Sequence, residues 1–141
     1  MVLKKKNLKK KPTRSKIVKK LDAEFSRYIR LKYADHNGYV KCYTCERVKH
    51  YKDSMQCGHF LSRRFYSTRW SEDNCRPQCY GCNVHSQGRQ YEYAINLNKE
   101  YGYDIAEELL QISREMVKIS TPELLEKIEF YKVLNSQFNI D

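Results

Sequence analysis

Apolar residues Ile17, Leu21, Phe25 and Tyr28 recur at spacings of four, four and three, which puts them on one face and predicts a helix from Ser15 to about Ala34. Asp35, His36, Asn37 and Gly38 then supply turn residues, and Tyr39, Val40 and Lys41 read as a short strand leading into a cysteine pair. From residue 39 to 88 the helical period fades and Cys, Gly, Arg and Tyr dominate, which predicts a small unit held by something other than an apolar core. Helical spacing returns with Tyr91, Ala94 and Ile95 before Gly102, and again with Ile105, Leu109, Ile112 and Met116. A last helix is predicted through Leu124, Leu125, Ile128 and Tyr131, with Thr121 as N-cap and Pro122 at its first position. No internal repeat is visible. The plan is a helix, a cysteine-rich module and two or three further helices, an α+β arrangement, and 141 residues suit one domain with a modest core.

Charge changes this picture at one end. Residues 1 to 20 hold ten Lys/Arg and no acid; subtracting them from 27 leaves 17 basic residues against 17 acidic, so the net +10 resides in this stretch. Residues 1–14 are therefore expected to form a disordered basic arm that repels itself and is drawn to polyanions. Lys4, Lys5, Lys6, Lys9, Lys10 and Lys11 are its candidate contacts to DNA phosphates, with a merely solubilising tail as the alternative. No apolar run approaches a membrane span, and the leading lysines lack the apolar stretch of a signal peptide; a soluble, cytoplasmic protein is expected.

The cysteines carry the clearest chemistry. Cys42 and Cys45 form one Cys-x-x-Cys, Cys79 and Cys82 another, with 33 residues between the pairs. Two residues between ligands let a tight turn aim both sulfurs at one ion, and two such turns close a tetrahedral structural zinc site. Two disulfides or a redox pair are the alternatives. Cys57 and Cys75 stay outside this scheme as small buried residues, although Cys57, two residues before His59, can also support a site there or serve as a ligand.

Between and beyond the pairs lie "FSRYIRL" (25–31), "GHFLSRRF" (58–65), "SEDN" (71–74) and "QCYGCN" (78–83). In this order and spacing they resemble the HNH nucleases of treble-clef type, and within them the phage NinG (Rap) recombination endonucleases. The resemblance covers about residues 20 to 103. It implies a small zinc-stabilised treble-clef (ββα-metal, HNH-like) module flanked by helices, spanning residues 15–103 with the first helix included, and a C-terminal helical extension at 104–141. It also implies a metal-dependent endonuclease acting on branched DNA such as D-loops and Holliday junctions.

A phosphodiesterase needs a base, a cation and a grip on the anion. His59 suits the base, since imidazole titrates near neutral pH, and a packing or zinc-supporting histidine is the plain alternative. The resemblance makes Asn74 the residue that fixes the loop aiming His59. Arg63, Arg64 and Arg69 can grip phosphates bidentately. Where many HNH sites carry an acidic or histidine ligand before the catalytic histidine, this chain has Gly58, so His85 and Asn83 become the expected catalytic residue and ligands for Mg or Mn. His36 and His50 are expected bystanders, and Tyr66 and Trp70 candidates for stacking on a base. A zinc-stabilised DNA-binding module without cleavage, or a zinc-containing adaptor for a recombination protein, are the competing functions. A homodimer is compatible with branched DNA.

Overall fold

The computed structural model describes residues 9–140. Thr13 accepts a hydrogen bond from the Lys16 amide through its hydroxyl and opens α1 (Arg14–Lys32), whose apolar stripe buries Ile17, Val18, Leu21, Phe25 and Ile29. At its end the Asp35 carboxylate accepts from the amides of Asn37 and Tyr39, each at 2.9 Å, and Gly38 takes the left-handed φ of 86° that the tight turn requires. The chain emerges into β1 (Tyr39–Lys41), which pairs antiparallel with β2 (Val48–His50).

A second antiparallel pair follows, β3 (Met55–His59) with β4 (Cys75–Cys79), in a register that sets Met55 opposite Cys79 and His59 opposite Cys75. The loop joining these strands carries a one-turn helix, α2 (Tyr66–Arg69), and a 3₁₀ turn at Glu72–Asn74. All five residues of β4 are buried, with β3, α1, β1 and the turns at either end of the strand packed around it. A wide π-type turn (Gly81–His85) follows the second cysteine pair, then α3 (Gln90–Tyr101), α4 (Ile105–Ser113) and α5 (Thr121–Ser136). Gly102, at φ 76°, terminates α3 as a left-handed cap.

Three apolar clusters hold these elements. The first joins Leu21, Phe25 and Ile29 of α1 to Leu124, Ile128 and Tyr131 of α5, with Trp70 and Cys75 between them. The second lies under the cysteine pairs, where Leu31, Val40, Tyr51 and Met55 pack with Cys42, Cys79 and Cys82, closed off by Phe138 and Ile140. Phe60, Tyr93, Leu97, Ile105 and Leu109 form the third. Residues 104–140 therefore share their cores with the segment before them, and α5 lies along α1. The buried Arg76 is stabilised by bonds to the Glu72 carbonyl at 2.6 Å, the Tyr101 hydroxyl at 3.0 Å and the Glu100 carboxylate at 3.3 Å.

Two boundaries differ from the sequence reading. Ser120, not Thr121, caps α5: its hydroxyl accepts from the Glu123 amide while the Glu123 carboxylate accepts from the Ser120 amide, and Pro122 falls at the second helical position. Met116 is 95% exposed because α4 ends at Ser113, so its helical spacing is accidental. Among the described residues no helix is long and apolar enough to cross a membrane.

Adjacent leucines report on the α1–α5 contact. Leu124 is fully buried and Leu125 is 45% exposed. Leu124→Ala is expected to cost about 2–5 kcal/mol in urea unfolding and Leu125→Ala under about 0.5 kcal/mol; equal costs would contradict the orientation of α5.

Candidate functional site

The two cysteine pairs come together because each sits at the end of a strand. Cys42 follows β1 and Cys79 ends β4, while the turns after them carry Cys45 and Cys82. The left-handed Glu46 (φ 63°) lets the first turn close, with its amide donating to the Cys42 carbonyl at 3.0 Å. The four sulfurs lie within 4.8 Å of one another, and Cys45 and Cys79 are 3.7 Å apart. A tetrahedral ion with bonds of about 2.3 Å sets sulfurs about 3.8 Å apart, so the donors fit zinc. All six cysteines are free thiols. Burial pushes the Cys42 thiol up, yet hydrogen bonds from the backbone N–H groups of Cys79, Cys45 and Thr44 outweigh it and lower the pKa. Cys45 is raised by burial and by the sulfurs crowded around it. Four sulfurs gathered at one point can share a cation, which these residues are arranged to hold.

His59, the last residue of β3, lines a groove of about 780 Å³ between α1, β3, the following loop and the π turn. Its Nε2 lies 2.8 Å from the Arg69 carbonyl oxygen. A carbonyl only accepts, so Nε2 carries the proton and Nδ1 keeps a lone pair. Burial lowers the His59 pKa; the nearby Arg63 charge adds to this, and the Arg69 carbonyl and Asp22 oppose it without reversing it. Burial thus favours the neutral ring, whose lone pair lies on Nδ1.

The Arg69 carbonyl is held over His59 by two polar clamps across the loop. Asn74, fully buried, accepts from the Leu61 amide at 2.8 Å and donates to the Leu61 and Thr68 carbonyls, both at 3.1 Å. Asp22 of α1 accepts from Arg69 Nε at 3.0 Å, Arg69 Nη2 at 2.6 Å and Trp70 Nε1 at 2.9 Å. The sequence reading missed Asp22, since one acid within a helix carries no pattern. It also missed Arg30, which lines the groove and donates to the Tyr51 carbonyl at 2.6 Å, and Gln56, whose side-chain oxygen accepts from Asn83 at 2.6 Å.

Several expected site residues fall elsewhere. Arg69 is engaged along its whole fork, by Asp22 and by the Arg63 carbonyl at 3.0 Å, so it braces the loop and is not free for phosphate. Trp70 is buried in the first cluster, which corrects the stacking expectation, and Tyr66 packs against it with ring centroids 5.2 Å apart. Asn83, Val84 and Gln87 line the groove, whereas His85 is exposed and packs edge-on against Tyr80 at 5.1 Å. Helical spacing explains the separation: residues four apart, 83 and 87, share the groove side, and His85, two from each, lies off it. Arg63 lines the groove and is exposed; Arg64 is exposed and stacks over Phe65. Lys9, Lys10 and Lys11 are exposed ahead of α1, and Lys4, Lys5 and Lys6 lie outside the described residues. His36 is exposed, and His50 packs against Tyr39 and Tyr51 away from the groove.

One further convergence was only hinted at by sequence spacing. Cys57, His59 and Cys75 bring a ligand atom each to within 4.8 Å of one another, beside the groove. A groove of about 740 Å³ between α2, α4 and α5 is lined by apolar side chains with Glu and Lys at its rim, and holds neither His nor Cys; the chemistry concentrates at His59.

The model of the family described as Bacteriophage Lambda NinG protein matches residues 1–139. No curated protein and no solved structure matches.

Two outcomes follow from this geometry. Removing metal with a strong chelator under reducing conditions is expected to lower the thermal midpoint by far more than 10 °C, since thiolate-held zinc contributes on the order of 10 kcal/mol to folding; an unchanged midpoint would sink the structural metal. His59 should titrate below 6.5 in an NMR pH series. Because its folded pKa is depressed, the unfolded chain binds the extra proton first, so stability is full above about pH 6.5 and falls as pH drops toward the folded pKa. His59→Gln should remove that part of the loss.

Proposed function

The chain belongs to the bacteriophage lambda NinG family, and from that premise we propose that it is a metal-dependent HNH-type endonuclease that hydrolyses phosphodiester bonds in branched DNA recombination intermediates such as D-loops and Holliday junctions. The observation that carries this reading is the state of His59: proton held on Nε2 by the Arg69 carbonyl, leaving the lone pair on Nδ1, in a groove edged by Arg30 and Arg63. The order of parts also fits a ββα-metal, treble-clef module, with His59 on β3, Asn74 before β4, and the second cysteine pair opening the helical turn.

In this reaction His59 Nδ1 takes a proton from water as the water oxygen attacks phosphorus, and the P–O bond to the departing sugar oxygen breaks. The imidazolium that forms remains hydrogen-bonded through Nε2 to the Arg69 carbonyl, so the ring does not turn as its charge changes. Asn74 and Asp22 are positioning residues: they hold the loop that supplies this carbonyl. Arg63, the exposed guanidinium at the groove, grips the phosphate. Asn83 and Gln56 offer neutral oxygens that would hold Mg or Mn together with water and phosphate, and the ion when bound neutralises charge on the leaving oxygen. The lysine-rich arm adds non-specific attraction to the DNA backbone. A homodimer would match the two-fold symmetry of a four-way junction.

One observation favours a second reading, a DNA-binding module without cleavage. A Cβ at position 58 would lie 2.0 Å from the Gln78 side-chain oxygen, so an acidic ligand cannot replace Gly58 while fully buried Gln78 stands there. Asp22, already bound by Arg69 and Trp70, is the groove's sole carboxylate among the described residues.

A cleavage assay with Mg or Mn on linear, looped and four-way DNA separates the two. His59→Ala should retain DNA binding and slow cleavage by about 10²- to 10⁴-fold. Equal rates in both proteins count against His59 as base, and a wild-type protein that binds but never cuts supports the binding module. Removing residues 1–11, which leaves the Thr13 cap intact, should weaken binding and flatten its salt dependence.

A further inference from the structure

We propose that Cys57, His59 and Cys75 form a second metal site, separate from the four-cysteine cluster, that takes a thiophilic divalent cation of the zinc class. Strand geometry builds it. Residues 57 and 59 alternate onto the same face of β3, and the antiparallel register sets Cys75 of β4 directly opposite His59. Two thiols and an imidazole thus meet at one point, their ligand atoms within 4.8 Å of one another, the same bound that the four-cysteine cluster satisfies.

The donors decide the cation. Sulfur and imidazole select zinc-class ions, whereas magnesium and calcium take oxygen. Three protein ligands leave a fourth position, and Cys57 and His59 both line the groove, so water or a phosphate oxygen can fill it. The Arg69 carbonyl accepts from His59 Nε2 at 2.8 Å, which supplies the outer acceptor that orients a ligating imidazole. Simple packing accounts for Cys75, which is fully buried in the first apolar cluster. Cys57 packs only against the edge of that cluster and stands half-buried at the groove, with its sulfur beside an imidazole.

The inference goes beyond the nuclease reading and touches it at His59. A metal-bound imidazole is not a base, so the loaded site and the general-base state exclude each other. The metal count does not depend on cleavage, and the two ideas therefore fail separately.

The full chain, kept reduced, is titrated with Zn(II) and with Co(II), and bound metal per chain is counted. Wild type should hold two ions. Cys57→Ser and Cys75→Ser should each hold one, with a matching loss of thiolate-to-cobalt absorbance. In wild type the second equivalent should shift the His59 ring resonances, and in Cys57→Ser it should not. A single ion in wild type at saturating metal overturns the proposal, as does a second ion that persists in the double variant. Should a variant fail to fold, competition of wild type with a chromophoric chelator still decides: two classes of site support the proposal and one class overturns it.

Discussion

Convergence of four sulfurs is the constraint from which the rest of this structure follows. Strands β1 and β2 are only three residues long, and the stretch around them has few large apolar residues to bury. The sulfur cluster brings the end of β4 to the turn after β1, at the end of the β3–β4 register where Met55 faces Cys79. From that fixed pairing His59 falls opposite Cys75, at the mouth of the groove. The sulfur cluster sits at one end of the strand pair and His59 at the other, four residues along β3.

What keeps the ring in one state is polar and local. The loop from Phe60 to Asn74 is anchored in the apolar clusters by Phe60 and Trp70, and between these its shape is held by hydrogen bonds made by Asn74 inside it and by Asp22 reaching from α1. Both satisfy buried donors or acceptors that would otherwise be costly. Their combined effect is one carbonyl, that of Arg69, placed where it settles the tautomer of His59. The same carbonyl faces Cys75, so the proposed acid–base chemistry and the proposed soft-metal binding would draw on one set of atoms. Helix α5 supports this from behind, because its Leu124, Ile128 and Tyr131 press on the face of α1 that also carries Phe25, whose ring lies 6.5 Å from His59.

Much of this arrangement was legible along the chain. The helical stripe from Ile17 to Tyr28 read correctly because burial on one side leaves a period that survives in sequence. The paired cysteines were legible because a tight two-residue turn is local geometry. Arg69 illustrates the limit: in sequence it is one arginine among three, and only the approach of Asp22, 47 residues earlier, makes it a brace. His85 failed for a local reason, since residues two apart on a helical turn face different sides and it cannot share the groove with Asn83.

Local rules, then, read from the chain alone, accounted for its helices, its two cysteine turns and the composition of its basic leader, each governed by neighbours within a few positions. Pairings across long separations lay beyond such rules: Asp22 with Arg69 and Trp70, α5 along α1, and Cys75 across from His59 with Cys57 alongside. Those contacts depend on which surfaces meet when the strands register and the helices pack, and a side chain's partner at that distance leaves no period in the sequence to read.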